Sequence, residues 1–132
     1  MNIAIIINME QPNNEKYIWD LIDGLNKLGH DISIFAKENS KIPKIGRLIV
    51  CKKEDDIMPQ YSYLFDIFNI IHDFSAKKEV HNFCQSNKMK SVATNFDNDI
   101  YKDIYTINAL SNYDKKLLVQ EHIKLYNKIC ES

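Results

Sequence analysis

The sequence predicts a single α/β domain, a Rossmann-like three-layer sandwich built on a mostly parallel sheet. Three observations predict it. Short β-branched apolar runs lack polar alternation, as strands covered on both faces do. Between them stand stretches with apolar residues at three- and four-residue steps, the signature of one-sided helices. The two kinds of segment alternate along the whole chain, the rhythm of a doubly wound sheet. With 132 residues, 45% of them hydrophobic and 27% charged, the chain has the size and apolar content of one core and is a poor fit to two.

The run Ile3 to Ile7 is the first central strand. A loop containing Gln11-Pro12-Asn13-Asn14 follows, and then Tyr17, Ile18, Leu21, Ile22, Leu25 and Leu28 mark one face of a helix. Asn13 or Asn14 suits its cap, Glu15 the positive end of its dipole, and Gly29 its termination. Ile32 to Ala36 is the second strand, completing a βαβ unit, and Leu48 to Cys51 is a third. A short helix or turn around Pro59 to Phe65 leads to the strand Phe68 to His72. Ala76 to Asn87 has a helical pattern through Val80, Phe83 and Cys84; Ser91 to Thr94 and Tyr105 to Ala109 are the last strands. Ser111, with Asp114 three residues on, reads as a capping box opening a long terminal helix over 111–132, whose core stripe is Leu118, Leu125, Tyr126 and Ile129.

Composition removes several classes of function. A net charge of -1 and a single arginine, Arg47, offer no basic field for nucleic acid or for an anionic membrane surface. The apolar run at the N-terminus has no basic lead and is too short for a transmembrane segment or a signal core, so a cytoplasmic location is expected. Cys51, Cys84 and Cys130 form no C-x-x-C pattern, and His81 with Cys84 makes only two ligands, so neither a disulfide framework nor a metal site is expected. No G-x-G-x-x-G, phosphate-loop or G-x-S-x-G pattern is present, which removes the usual dinucleotide, phosphate-loop and hydrolase signatures.

In an open parallel sheet ligands bind outside the carboxyl ends of the strands. That rule selects His72 and Asp73, where a general acid or acceptor-binding group would sit, as the catalytic candidates; no other catalytic residue is identified. Asn13 and Asn14 would offer amides to an anion at a helix start, while Thr94, Asn95 and Asp97 would offer hydrogen-bonding groups to a ligand at the same sheet edge. Ser111 completes the substrate-binding set. Each has a structural use as well: Asp73, Asn13, Asn14 and Ser111 as helix caps, and Asn95 and Asp97 as turn formers.

Four segments carry a family resemblance. Met1 to Ile5 through Gly29-His30-Asp31-Ile32-Ser33-Ile34-Phe35-Ala36, with Leu25 to His30 supplying a Leu-x-x-x-Gly-His helix end, is similar to the opening of family 4 (GT-B) glycosyltransferases. Phe65-Asp66-Ile67-Phe68-Asn69-Ile70-Ile71-His72 resembles the family's Asp-Ile-Ile-His strand. Ser91 to Asp97 resembles its Val-Val-x-Thr-x-His-Asp strand end, and Ile107 to Leu118 the segment in which an "AVS" strand end is followed by a helix. Asn13-Asn14 stands where the family commonly has a glycine pair, and Phe96 where it often has a histidine.

The resemblance implies an N-terminal, acceptor-side domain that binds a sugar or glycan. The family's donor-binding half has no counterpart in these residues. Transfer would therefore require a separate donor-domain protein, or a homodimer that forms a substitute cleft, and a nucleotide sugar would bind only there; no other cofactor is implied. The resemblance also extends to Gln120 to Ile129, similar in character to the family helix that returns to cover the N-terminal domain. Two other readings stand beside this one: a protein-interaction or small-ligand module whose vacated face carries Tyr61, Tyr63, Phe74 and Phe96, and a complete small enzyme using His72 and Asp73.

Overall fold

A computed structural model describes residues 1–7, 15–36, 46–50, 64–72, 86, 88–95, 106–108 and 113–131. Along the chain these form β1 (Asn2–Ile7), α1 (Glu15–Lys27), β2 (Asp31–Ala36), β3 (Arg47–Val50), β4 (Ile67–His72), β5 (Ser91–Asn95), β6 (Thr106–Asn108) and α2 (Lys115–Cys130). The strands make one sheet in the order β3-β2-β1-β4-β5-β6, and all five neighbouring pairs are parallel. This is the doubly wound order of a Rossmann sheet, and the chain is an α/β single domain.

Period-two alternation explains why the central strands read as unbroken apolar runs. Ile3, Ile5, Ile32, Ile34, Ile67 and Val92 face one way, into a core shared with Leu21, Ile22 and Leu25 of α1 and Leu118, Tyr126 and Ile129 of α2. Ala4, Ile6, Phe35 and Phe68 point to the opposite face and are just as buried. Both faces of β1, β2 and β4 are therefore covered, which leaves no solvent-facing row for polar alternation; the buried polar residues Ser33 and Asn69 are exceptions, and Asn69 is hydrogen-bonded inside the protein. Each large aliphatic side chain buried in this way contributes about 1.5–3 kcal/mol before conformational entropy is set against it.

α1 ends as its sequence dictates. Gly29 takes φ +87°, its N–H donates to the Asn26 carbonyl at 3.0 Å, and the His30 N–H reaches back to the Leu25 carbonyl at 3.3 Å. These two bonds make a Schellman motif and turn the chain directly into β2. Leu28 falls in this turn and is exposed, so the apolar face of α1 stops at Leu25.

α2 departs from its expected start. The helix begins at Lys115, not at residue 111, because Asp114 is the cap: it is extended at φ -88°, ψ 126°, and its Oδ1 accepts the Leu117 N–H at 3.1 Å. Asp caps as well as Ser, and it adds a negative charge at the positive end of the dipole. Ser111 lies outside the described residues, as do the helix expected over Ala76 to Asn87, apart from residue 86, and the turn from Pro59 as far as residue 63.

α1 and α2 lie on the same face of the sheet and meet at Gly24. A Cβ built there would overlap Cγ2 of Val119, so the absence of a side chain at residue 24 sets how closely the helices approach. Polar contacts close the same seam from outside. The Tyr113 hydroxyl donates to Asp20 at 2.7 Å and accepts from Lys16 at 3.3 Å, and Lys115 pairs with Asp23. Hydrogen bonds from Lys115 and Lys27 hold the Asp23 carboxyl below its ordinary range.

Candidate functional site

The strand order reverses between β1 and β4. From β1 the chain moves through β2 and β3 to one edge, then returns beside β1 and runs out through β5 and β6. In sheets of this order the ligand crevice lies, as a rule, outside the carboxyl ends of the two strands that flank the reversal, here β1 and β4. Ile7 and His72 end these two strands. The register carries a polar row outward from His72, which stands opposite Asn95, which in turn stands opposite Asn108.

Of the residues singled out in the sequence, His72 and Asn95 are thus brought to one edge as register partners. Asn108 joins them; it lies within the Ile107 to Leu118 strand-to-helix segment, of which only Ser111 was taken as a site residue. Asn13, Asn14, Asp73, Asp97 and Ser111 lie outside the described residues, as do Tyr61, Tyr63, Phe74 and Phe96. Thr94 is set differently from its neighbour. It is on the α2 side of the sheet and fully buried, so its hydroxyl is engaged inside the protein and not at the crevice rim.

That engagement is one step in a buried polar chain. The Tyr126 hydroxyl donates to Oδ1 of Asn69, Nδ2 of Asn69 donates to the Thr94 hydroxyl at 2.9 Å, and that hydroxyl lies 3.3 Å from Nε2 of His122. Nδ1 of His122 is 2.9 Å from the Leu118 carbonyl. A carbonyl only accepts, so Nδ1 carries the proton and Nε2 is the acceptor for Thr94. Every bond then runs in one direction, from Tyr126 through β4 and β5 back to α2. All four side chains are fully buried.

Burial drives the His122 pKa down to about 4, opposed by its backbone hydrogen bond, and pushes the Tyr126 hydroxyl up. Both groups are therefore neutral near pH 7. The chain is a seam between α2 and the sheet, with no exposed atom to offer a substrate. Sequence reasoning assigned Tyr126 to the core but passed over Asn69 and His122. The available signal was the placement of His122 four residues after Leu118 and four before Tyr126, on the apolar stripe of its helix.

A cleft of about 530 Å³ opens at the other end of the sheet, by Asn2, Asp31 and Arg47 at the amino ends of β1, β2 and β3. Its position and the switch-point rule disagree about where a ligand should sit. For the site implied by topology the carboxyl edge has precedence, because every parallel strand directs its outgoing connection there. Among the described residues no three His, Cys, Asp or Glu side chains converge as metal ligands, and no helix is long and apolar enough to cross a membrane.

The fold defines the class to which the chain belongs, a parallel α/β domain in the Rossmann strand order. No family model, curated protein or solved structure matches the chain.

Proposed function

We propose that this chain is a carbohydrate-binding α/β domain of the kind found on the acceptor side of a GT-B glycosyltransferase, holding a sugar or glycan in the crevice between β1 and β4. One observation carries the reading: the strand order reverses beside His72, and Asn95 and Asn108 continue a row of hydrogen-bonding residues from it along the same edge. Imidazole and carboxamide groups donate to and accept from sugar hydroxyls, which is the chemistry an acceptor site requires. The sequence resemblance over the same strands supports it.

Acting alone, such a domain binds and orients an acceptor. Transfer needs cationic donors placed against a departing diphosphate, and these would come from a donor-domain protein or a second copy of the chain. Within that arrangement, His72, the last residue of β4, is the candidate to take the proton from an acceptor hydroxyl.

Calorimetric titration with a panel of free sugars, glycans and nucleotide sugars tests the proposal. Saturable binding of an acceptor sugar that weakens in His72→Ala and Asn95→Ala is the expected result. Tight nucleotide-sugar binding by the isolated chain would replace the acceptor-side reading with that of a donor site. Binding of no carbohydrate at millimolar concentration would leave the protein-interaction reading in its place.

A further inference from the structure

We propose that the amino edge of the sheet holds a second site, for a small polyhydroxylated anion: a sugar bearing one phosphate or one carboxylate group. It stands at the opposite end of the strands from the crevice and is independent of the function proposed there. Six-residue strands such as β1 and β2 separate the two edges by roughly 20 Å.

Strand register assembles the site. Asn2 stands opposite Asp31, and Ser33 opposite Arg47, so β1, β2 and β3 present an amide, a carboxylate, a hydroxyl and a guanidinium along one edge. All four residues line the cleft, and Asn26 adds a second amide. Gly46 makes the juxtaposition of β2 and β3 close. It takes φ +77°, and a Cβ there would overlap the Ile32 carbonyl oxygen, so the chain passes tightly over β2 before entering β3 at Arg47.

The cleft wall is fixed in advance of any ligand. Phe65, half-buried in it, packs edge-to-face on Phe35 at 5.7 Å and on Phe68 at 5.5 Å. Asp66, the next residue, ties the edge together: its Oδ2 accepts the Asn2 N–H and its own N–H donates to the Asn2 carbonyl, both at 2.8 Å. The volume of about 530 Å³ falls within the range of small-molecule sites and exceeds what a bare ion fills.

The donor set selects the ligand. Arg47 is the only arginine in the chain, always charged, and its planar fork matches phosphate or carboxylate oxygens. A carboxylate beside it accepts only, which suits hydroxyl donors and repels a second anionic group. Asn2, Asn26 and Ser33 donate and accept, as a polyol demands. The flat ring of Phe65 suits the apolar face of a pyranose.

The test titrates the full chain with glucose 6-phosphate, glucuronate, neutral glucose and inorganic phosphate, by calorimetry and by amide chemical-shift mapping. Saturable binding of one charged sugar is expected, weaker by about tenfold or more for glucose and for inorganic phosphate, with shifts at Asp31 and Arg47. The preferred arm tells phosphate from carboxylate. Arg47→Ala, an exposed position that leaves the core intact, should weaken that binding by about tenfold or more, whereas His72→Ala should leave it unchanged. No saturable binding of either charged sugar overturns the proposal. So does binding that survives Arg47→Ala, that inorganic phosphate matches, or that His72→Ala abolishes. In that last case the ligand occupies the carboxyl-edge crevice instead.

Discussion

Tyr126 on α2 and Asn69 on β4, 57 residues apart in sequence, meet inside the protein, the tyrosine hydroxyl donating to the amide oxygen. Neither group reaches solvent. Because the amide nitrogen of Asn69 is committed to Thr94, its oxygen depends on Tyr126 for a donor. Tyr126→Phe keeps the ring and deletes only that proton. It should destabilise the fold by about 1–3 kcal/mol, the usual cost of a buried acceptor left without its partner. Urea denaturation checks this. Adding Asn69→Leu, which removes the orphaned oxygen, should recover part of the loss, so the two substitutions should be non-additive.

The far end of the same chain makes stability depend on pH. Burial lowers the His122 pKa to about 4 in the folded state, against 6.5 for an unperturbed imidazole. The unfolded chain therefore binds the extra proton first. Stability is complete above about pH 6.5, falls as the pH drops from there, and ceases to fall from this cause below about pH 4. The whole shift corresponds to roughly 3 kcal/mol. His30, lowered by burial and by the neighbouring terminal ammonium, adds a contribution of the same sign. Comparing urea midpoints of the parent and His122→Gln between pH 7.5 and 4 isolates the His122 part: the parent should lose more stability over that window. Equal losses would show that His122 does not hold its neutral form through this network.

The strands were legible because the sheet is covered on both faces, which leaves the continuous runs Ile3 to Ile7 and Ile32 to Ala36 no room for polar alternation. The first helix was legible for the opposite reason, since only one of its faces is buried and Gly29 closes it. What failed was local ambiguity. Ser111 and Asp114 are both capping residues, and which one starts the helix depends on how α2 lands on α1. The site was less legible still. Strand ends could place His72 and Asn95 near an edge, but their pairing with each other and with Asn108 depends on the order of β4, β5 and β6. Thr94 and Asn95 are adjacent in sequence, yet Thr94 falls on the helix-covered side; a one-residue difference in a strand exchanges rim for core.

Asp114 fixes the start of α2 through its bond to the Leu117 N–H and is itself exposed. Asp114→Ala should therefore cost about 1 kcal/mol, from the lost cap and the lost charge at the helix start, without disturbing the core. Asp114→Ser should restore most of it, because a hydroxyl caps but carries no charge. Thermal denaturation with far-ultraviolet circular dichroism reads both variants. A loss well beyond that range would mean Asp114 does more than cap.

Gly24 and Val119 offer the sharpest test of the helix packing. In an exposed helix glycine to alanine is favourable by about 1 kcal/mol, since alanine restricts the unfolded chain and favours the helix. At residue 24 the added methyl would overlap Cγ2 of Val119, and a crowded core contact costs about 1–3 kcal/mol. Packing outweighs propensity, so Gly24→Ala should destabilise. In a Val119→Ala background the obstructing methyls are gone and the order reverses: Gly24→Ala should then be neutral or stabilising, filling part of the space Val119 vacates. A four-variant denaturation cycle measures this. A stabilising Gly24→Ala in the parent would show that α1 and α2 do not approach as closely as the geometry requires.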